Sequence, residues 1–161
     1  MRSFELESDS HCYHLYLNPY SFSATILRAL RAGTHVIMDR YAFSGVAFSA
    51  AKPGLDAAWC AAPDAGLPAP DAVLFMDLAP AAQAARSGFG GERYESAPFQ
   101  IAVRAAFAAL KERAPRSLLW IDIDADGCVE DVAARVDAAA DEIFATAATS
   151  PVCTLWDGKP L

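Results

Sequence analysis

The sequence is poor in the features that mark several large classes of protein. It carries 13 lysines and arginines against 20 acidic residues, giving a formal net charge of −7, which argues against nucleic acid or an anionic membrane as a partner. No apolar run approaches the roughly 20 residues that span a bilayer, and the first residues lack the apolar core of a secretory signal. We therefore expect a cytoplasmic protein, with a nuclear or mitochondrial pool left open.

Patterns typical of disulfide and metal-binding proteins are also missing. His11 and His14 have no third ligand nearby, so we predict packing or surface histidines and no metal site built by the protein. The four cysteines are widely scattered and form no Cys-x-x-Cys pair; they are Cys12, Cys60, Cys128 and Cys153. Scattered thiols of this kind are typical of a reducing, cytosolic compartment.

What the chain does contain is enough apolar sequence for one folded core. It has 161 residues, of which 54% are hydrophobic and 20% charged, as expected for a globular domain. Apolar runs at 36–40, 72–78 and 118–123 indicate buried strands. Helical patterns separate these runs, and the alternation predicts an α/β fold: a parallel sheet of three strands flanked by helices.

The spacing of apolar residues, together with the positions of helix-capping and helix-breaking residues, predicts helices in the segments between the strands. A first helix begins near Pro19 and ends at Gly33, and the last one stops before Ser150-Pro151. The apolar face of the last helix is predicted to carry Val129, Val132, Val136, Ala140 and Ile143. The helices in between are predicted at 41–52, 55–62, 79–86 and from Ser96 onward, the last of these with Phe99, Val103, Phe107 and Leu110 on one face.

Asp39 and Arg40 stand at the C-terminal end of the first predicted strand, after Val36, Ile37 and Met38. Ligands of open parallel sheets bind beyond the carboxyl ends of the strands, so these two side chains are candidates for a site. The planar guanidinium of Arg40 suits phosphate or carboxylate, and the Asp39 carboxylate suits a hydrogen-bond donor or a metal. A simpler interpretation is an acid–base pair that only caps the strand.

Several short motifs include or follow this pair in the sequence. They are Asp-Arg-Tyr-Ala-Phe-Ser-Gly-Val-Ala-Phe at 39–48, Trp59-Cys60, Pro63 to Pro68, Pro70-Asp71, Val73 to Phe75, Phe89 to Glu95 and Phe99-Gln100. Together they resemble the signature of thymidylate kinases, in particular their eukaryotic branch. The motifs occur in the same order over some sixty residues, which makes the resemblance more specific than any single motif.

The resemblance runs from near His11 to Trp156, and it implies a P-loop nucleoside monophosphate kinase fold for residues 11–156. Residues 1–10 form a polar extension before that domain, and residues 157–161 form a tail after it.

By this resemblance, particular residues take roles at the acceptor nucleotide. Arg40 would hold the phosphate of dTMP, and Asp39 would orient the arginines or the water shell of Mg²⁺. Phe48 would line the thymidine pocket. Tyr94 would lie over the deoxyribose, supported by Gln100. The residues assigned to substrate binding are Arg40, Tyr41, Phe48, Tyr94 and Gln100.

The ATP side of the site is assigned in the same way. Arg86 would act there as a catalytic residue, beside a lid loop at 87–95 that closes over ATP. The resemblance thus implies transfer of the γ-phosphoryl group of ATP to dTMP, giving dTDP, with Mg²⁺ accompanying ATP. The lid residues are Gly88, Phe89, Gly90, Gly91 and Arg93.

Two departures from the family pattern bear on this function. Leu15 and Pro19 occupy the places of a Phe that stacks on thymine and an Arg that binds its edge. The family's N-terminal strand and its Gly-x-x-x-x-Gly-Lys-Ser/Thr loop, which cradles the donor phosphates, have no counterpart in the sequence. Gly158-Lys159 precedes a proline and cannot serve as that loop.

The missing strand lies, in the family, between the strands at 36–40 and 72–78. We therefore expect these strands either to meet or to leave unpaired edges, and the chain alone to be poorly folded, rearranged or dependent on a homodimer or a complementing chain. The alternative to a thymidylate kinase is an inactive protein without a P-loop that binds at most a nucleotide or a partner. A kinase for another nucleoside monophosphate is a third, weaker alternative, which Leu15 and Pro19 leave open.

Overall fold

The computed structural model describes residues 19–85, 96–115, 117–147 and 150–156. The predicted N-terminal extension, lid loop and tail lie outside these ranges. Within them, no helix has the length and apolar character needed to cross a bilayer. The elements are α1 (Pro19–Arg31), α2 (Ala42–Ala50), α3 (Ala57–Ala61), a 3₁₀ turn (Ala62–Asp64), β1 (Ala72–Asp77), α4 (Pro80–Ala85), α5 (Ala97–Arg113), β2 (Leu119–Asp124) and α6 (Val129–Ala147).

Helix α1 ends as its sequence predicts. Gly33 adopts a left-handed φ of 73°, which glycine reaches without a steric penalty. Its N–H donates to Leu30 O at 2.9 Å, and the N–H of Thr34 donates to Ala29 O at 2.9 Å. This pair of bonds is a Schellman motif, which satisfies carbonyls that the last helical turn leaves open. The chain therefore leaves α1 in a fixed direction toward residues 34–40.

The sheet is parallel, as predicted. Strand β1 pairs with β2 in a register that runs from Ala72 opposite Leu119 to Asp77 opposite Asp124. Both strands are bounded within a residue of their predicted positions. Helix α5 packs on one face, where Phe107 lies 4.9 Å from Phe75 between ring centroids. The predicted α/β fold, a parallel sheet flanked by helices, is confirmed.

The prediction of a third strand at 36–40 is wrong. The described part of the chain contains a sheet of two strands, and residues 34–38 form no ladder with either of them. Val36 is 38% exposed and Ile37 is 75% exposed. A strand persists only where a neighbour pairs with its backbone groups, and no described backbone group bonds to residues 35–38. We expected the segments 36–40 and 72–78 either to pair with each other or to leave unpaired edges, and among the described residues they do not pair.

The best-buried residues lie around α2. Val46 is 1% exposed and Ala47 is fully buried, where α2 faces α3 and α5. Alanines on these helices permit a close approach. The segment 150–156 closes another side: Leu155 is 2% exposed and donates its N–H to Leu67 O at 2.7 Å. The core is thus centred on α2, which begins two residues after Arg40.

Helix α6 packs on the sheet with most of its predicted apolar face. Val132, Val136, Ala140 and Ile143 are half-buried, and Ala139 joins them at 7% exposure. Val129 was predicted on this face but is 81% exposed. It is the first residue of the helix, where the chain has just left the loop after β2, so the apolar spacing alone does not bring it to the sheet.

Candidate functional site

Arg40 stands at a sharp bend between the extended segment 34–38 and α2. Its φ is 64°, in the left-handed region that costs a residue with a Cβ about 1–2 kcal/mol. Strained backbone of this kind clusters at functional sites. The positive end of the α2 dipole begins just beyond it, and the Arg40 side chain is exposed. The bend therefore presents a permanent cation beside a helix N-terminus, a setting that favours an anion.

Two predicted site residues, Phe48 and Gln100, lie near Arg40 or near a residue that Phe48 contacts. The Cζ atom of Arg40 lies 5.6 Å from the centroid of the Phe48 ring, within the range of a cation–π contact. The Phe48 ring lies 6.1 Å from the Phe99 ring, tilted by 59°. Gln100 follows Phe99 in the first turn of α5, where its N–H donates to Ser96 O at 3.0 Å. The structure thus brings Arg40 and Phe48 into contact, and Gln100 follows directly after Phe99, the residue whose ring contacts Phe48.

Tyr41 points elsewhere. Its hydroxyl donates to Pro68 O at 3.0 Å, and its ring packs against the core cluster that contains Phe43 and Leu67. Burial, with the charge of Asp64 as a second cause, raises the pKa of Tyr41 above its ordinary value, so the phenol stays protonated as a donor. Its assignment to substrate binding stays a prediction, while its described contacts are structural.

Asp39 is exposed at the same bend. The described residues contain no cluster of three or more potential metal ligands. This donor set fits Mg²⁺ only in the form in which that ion accompanies a nucleotide, held by phosphates, waters and one or two carboxylates. Asp39 is the residue that would contribute the carboxylate, by bonding the ion's water shell.

Two cavities lie away from this bend. One, of about 350 Å³, runs between α2 and α5 and is lined mostly by alanines. The other, of about 530 Å³, lies beside α3 and the segment 150–156. Neither is lined by Arg40, Phe48 or Gln100. The candidate site is therefore distinct from these two cavities.

The remaining predicted site residues lie outside the described residues, and their assignments stay predictions. They are Arg86, Gly88, Phe89, Gly90, Gly91, Arg93 and Tyr94.

Sequence reasoning missed the part that Phe99 plays. The spacing of α5 marked Phe99 only as one of its apolar residues, whereas the structure places its ring against Phe48. Phe48 and Phe99 belong to different helices, so no local pattern could indicate the contact. The one available signal was that Phe99 belongs, with Gln100, to a motif shared with the family.

The fold and this bend define a class. A parallel sheet flanked by helices, with an Asp-Arg pair leading into a helix, is the architecture of P-loop nucleoside monophosphate kinases. The structure of a thymidylate kinase from Candida albicans superposes on this chain with a TM-score of 0.65 and 26% identity, covering 92% of this chain and 74% of that one. That Candida albicans enzyme has broad substrate specificity.

Sequence comparisons narrow the class to one family. The family model of thymidylate kinase matches residues 1–136. The thymidylate kinase of Danio rerio is 39% identical over 150 residues, which is 92% of this chain and 70% of that protein. That of Arabidopsis thaliana is 38% identical over 151 residues, again 92% of this chain but 55% of that protein. The chain belongs to the thymidylate kinase family.

Proposed function

We propose that this chain binds dTMP at the Arg40 bend and transfers to it the γ-phosphoryl group of ATP, giving dTDP. The observation that carries the proposal is the contact between Arg40 and Phe48 in a member of the thymidylate kinase family. It offers a cation for the phosphate next to an aromatic wall for the base.

Each of the candidate site residues Arg40, Phe48, Gln100 and Asp39 has a role in this proposed reaction. The Arg40 guanidinium binds the dTMP phosphate, which in phosphoryl transfer must be held in line with the donor. Phe48 lies against the base, and Gln100 supports Tyr94 in its role at the deoxyribose. Asp39 orients the arginine or the waters around Mg²⁺, which neutralises phosphate charge when it is bound with ATP.

A second candidate function is binding of dTMP without turnover. It is favoured by one observation, the lack of a Gly-x-x-x-x-Gly-Lys-Ser/Thr motif in the 161 residues. For turnover, the donor phosphates would have to be held by other groups of these residues, by residues outside them, by a second copy in a homodimer or by a complementing chain. A cytoplasmic location also stays a proposal, which cell fractionation would test.

Calorimetric titration with dTMP and a coupled ADP-release assay separate these functions. We expect Arg40→Ala to weaken dTMP binding by about tenfold or more, because a charge-assisted contact to phosphate is lost. Arg113→Ala, which removes an exposed arginine at the end of α5, is the matched control and should bind normally.

The outcomes lead to different conclusions. Turnover that Arg40→Ala abolishes supports the kinase. Binding that depends on Arg40, with no ADP release above background, supports the second candidate. If folded protein shows no dTMP binding, both functions are wrong.

A further inference from the structure

The arginines of this chain differ in how their donors are used. Arg104 donates to Leu78 O at 3.0 Å and pairs with Asp77, and Arg135 donates to two backbone carbonyls, at 2.7 and 2.6 Å. These two side chains bind protein groups and thereby fix α5 and α6 to the ends of the strands. The contact recorded for Arg40 is of another kind, with the face of an aromatic ring.

The guanidinium carbon of Arg40 lies over the Phe48 ring at 5.6 Å from its centroid, and a cation–π contact needs no oxygen acceptor. The N–H donors of the guanidinium can therefore still serve a bidentate acceptor such as phosphate. No ion pair among the described residues engages Arg40. The ring therefore restrains the side chain without consuming the donors that a ligand would need.

Phe48 is itself restrained. It lies on α2, is half-buried and packs against Phe99 of α5. The strained backbone of Arg40 sets where its side chain begins, and Phe48 sets where the guanidinium ends. A side chain fixed at both ends loses less conformational freedom when it binds a ligand.

We propose that Phe48 is a positioning residue for Arg40, so that it assists recognition of the nucleotide's phosphate in addition to lining the base pocket. This inference rests on the proposed function, because it concerns the same bound nucleotide. A base wall alone would act on nucleoside and nucleotide alike. A positioning residue would act on the nucleotide more.

The test compares binding of dTMP and thymidine, by calorimetry, to the full chain and to Phe48→Leu and Phe48→Tyr. We expect Phe48→Leu to weaken dTMP binding about two- to fivefold more than it weakens thymidine binding, which is the worth of an exposed cation–π contact. Phe48→Tyr keeps the ring and should preserve the wild-type ratio. In an Arg40→Ala background, Phe48→Leu should leave that ratio unchanged.

Equal losses for dTMP and thymidine in Phe48→Leu would overturn the inference while leaving the proposed function standing. A measurement without nucleotide gives a second readout. The side-chain methylene protons of Arg40 should show an upfield ring-current shift in the NMR spectrum of the wild type and lose it in Phe48→Leu. An unchanged shift would show that the contact does not form and would likewise refute the inference. Failure of the wild type to bind dTMP would refute the proposed function, and the inference with it.

Discussion

Two segments outside the helices and the paired strands carry large apolar side chains, yet they have opposite surroundings. In segment 150–156, Leu155 is 2% exposed, whereas in segment 34–40, Ile37 is 75% exposed. The difference lies in the backbone. Ala69 N–H donates to Cys153 O at 2.7 Å and Leu155 N–H to Leu67 O, while residues 35–38 have no such described partner. Apolar character favours burial, but an extended segment is buried only where other backbone satisfies its polar groups.

The largest effect that would test this comparison is on stability. Leu155→Ala should lower the free energy of unfolding by about 2–5 kcal/mol, since it empties a packed site. Ile37→Ala, the matched truncation at the exposed segment, should change it by less than about 0.5 kcal/mol. Urea denaturation followed by circular dichroism measures both. Equal losses would mean that Ile37 is buried in solution, for example by a second copy, and the comparison would fail.

A smaller effect on stability would test the backbone strain at Arg40, where the exposed segment ends. Arg40 has a left-handed backbone, so Arg40→Gly should be more stable than Arg40→Ala by about 1 kcal/mol, because glycine adopts this φ without a Cβ clash. Both variants lack the guanidinium, so the pair isolates the backbone from the charge. Thermal unfolding of the two proteins side by side gives the answer, and an alanine variant of equal or greater stability would contradict the strained bend.

The smallest expected effect is a pH dependence of stability that arises from Asp64, which lies near the core residue Tyr41. Burial raises the pKa of Asp64 above its ordinary value of 3.8, so the folded state binds this proton more tightly than the unfolded state does. The free energy of unfolding should therefore fall as pH rises from about 3.8 through the folded pKa. Asp64 is half-exposed, and solvent screening keeps the effect under about 1 kcal/mol.

Asp64→Asn removes this dependence and also the charge beside the Tyr41 hydroxyl. We expect the variant to be slightly more stable than the wild type at neutral pH and equally stable near pH 3. Denaturant unfolding across that pH range is the measurement. A variant that is less stable at pH 7 would show that the ionised carboxylate supports the fold.

The sequence alone determined what depends on nearby residues. Gly33 ends α1 because only a few neighbouring groups take part in a helix terminus. The apolar runs at 72–78 and 118–123 were enough to indicate two strands within a residue of their bounds. The ordered motifs between 39 and 100 were enough to indicate the thymidylate kinase family, since reading them needs no knowledge of contacts.

Tertiary structure decided the features that require a partner far along the chain. Val36, Ile37 and Met38 are as apolar as the residues of a buried strand, but their pairing depends on residues that the local pattern does not contain. Tyr41 bonds to a carbonyl 27 residues away, which turns it from the candidate site to the core, although it is adjacent to Arg40. The contacts that join Arg40, Phe48 and Phe99 arise in the same way, because packing between helices α2 and α5 fixes which rings meet.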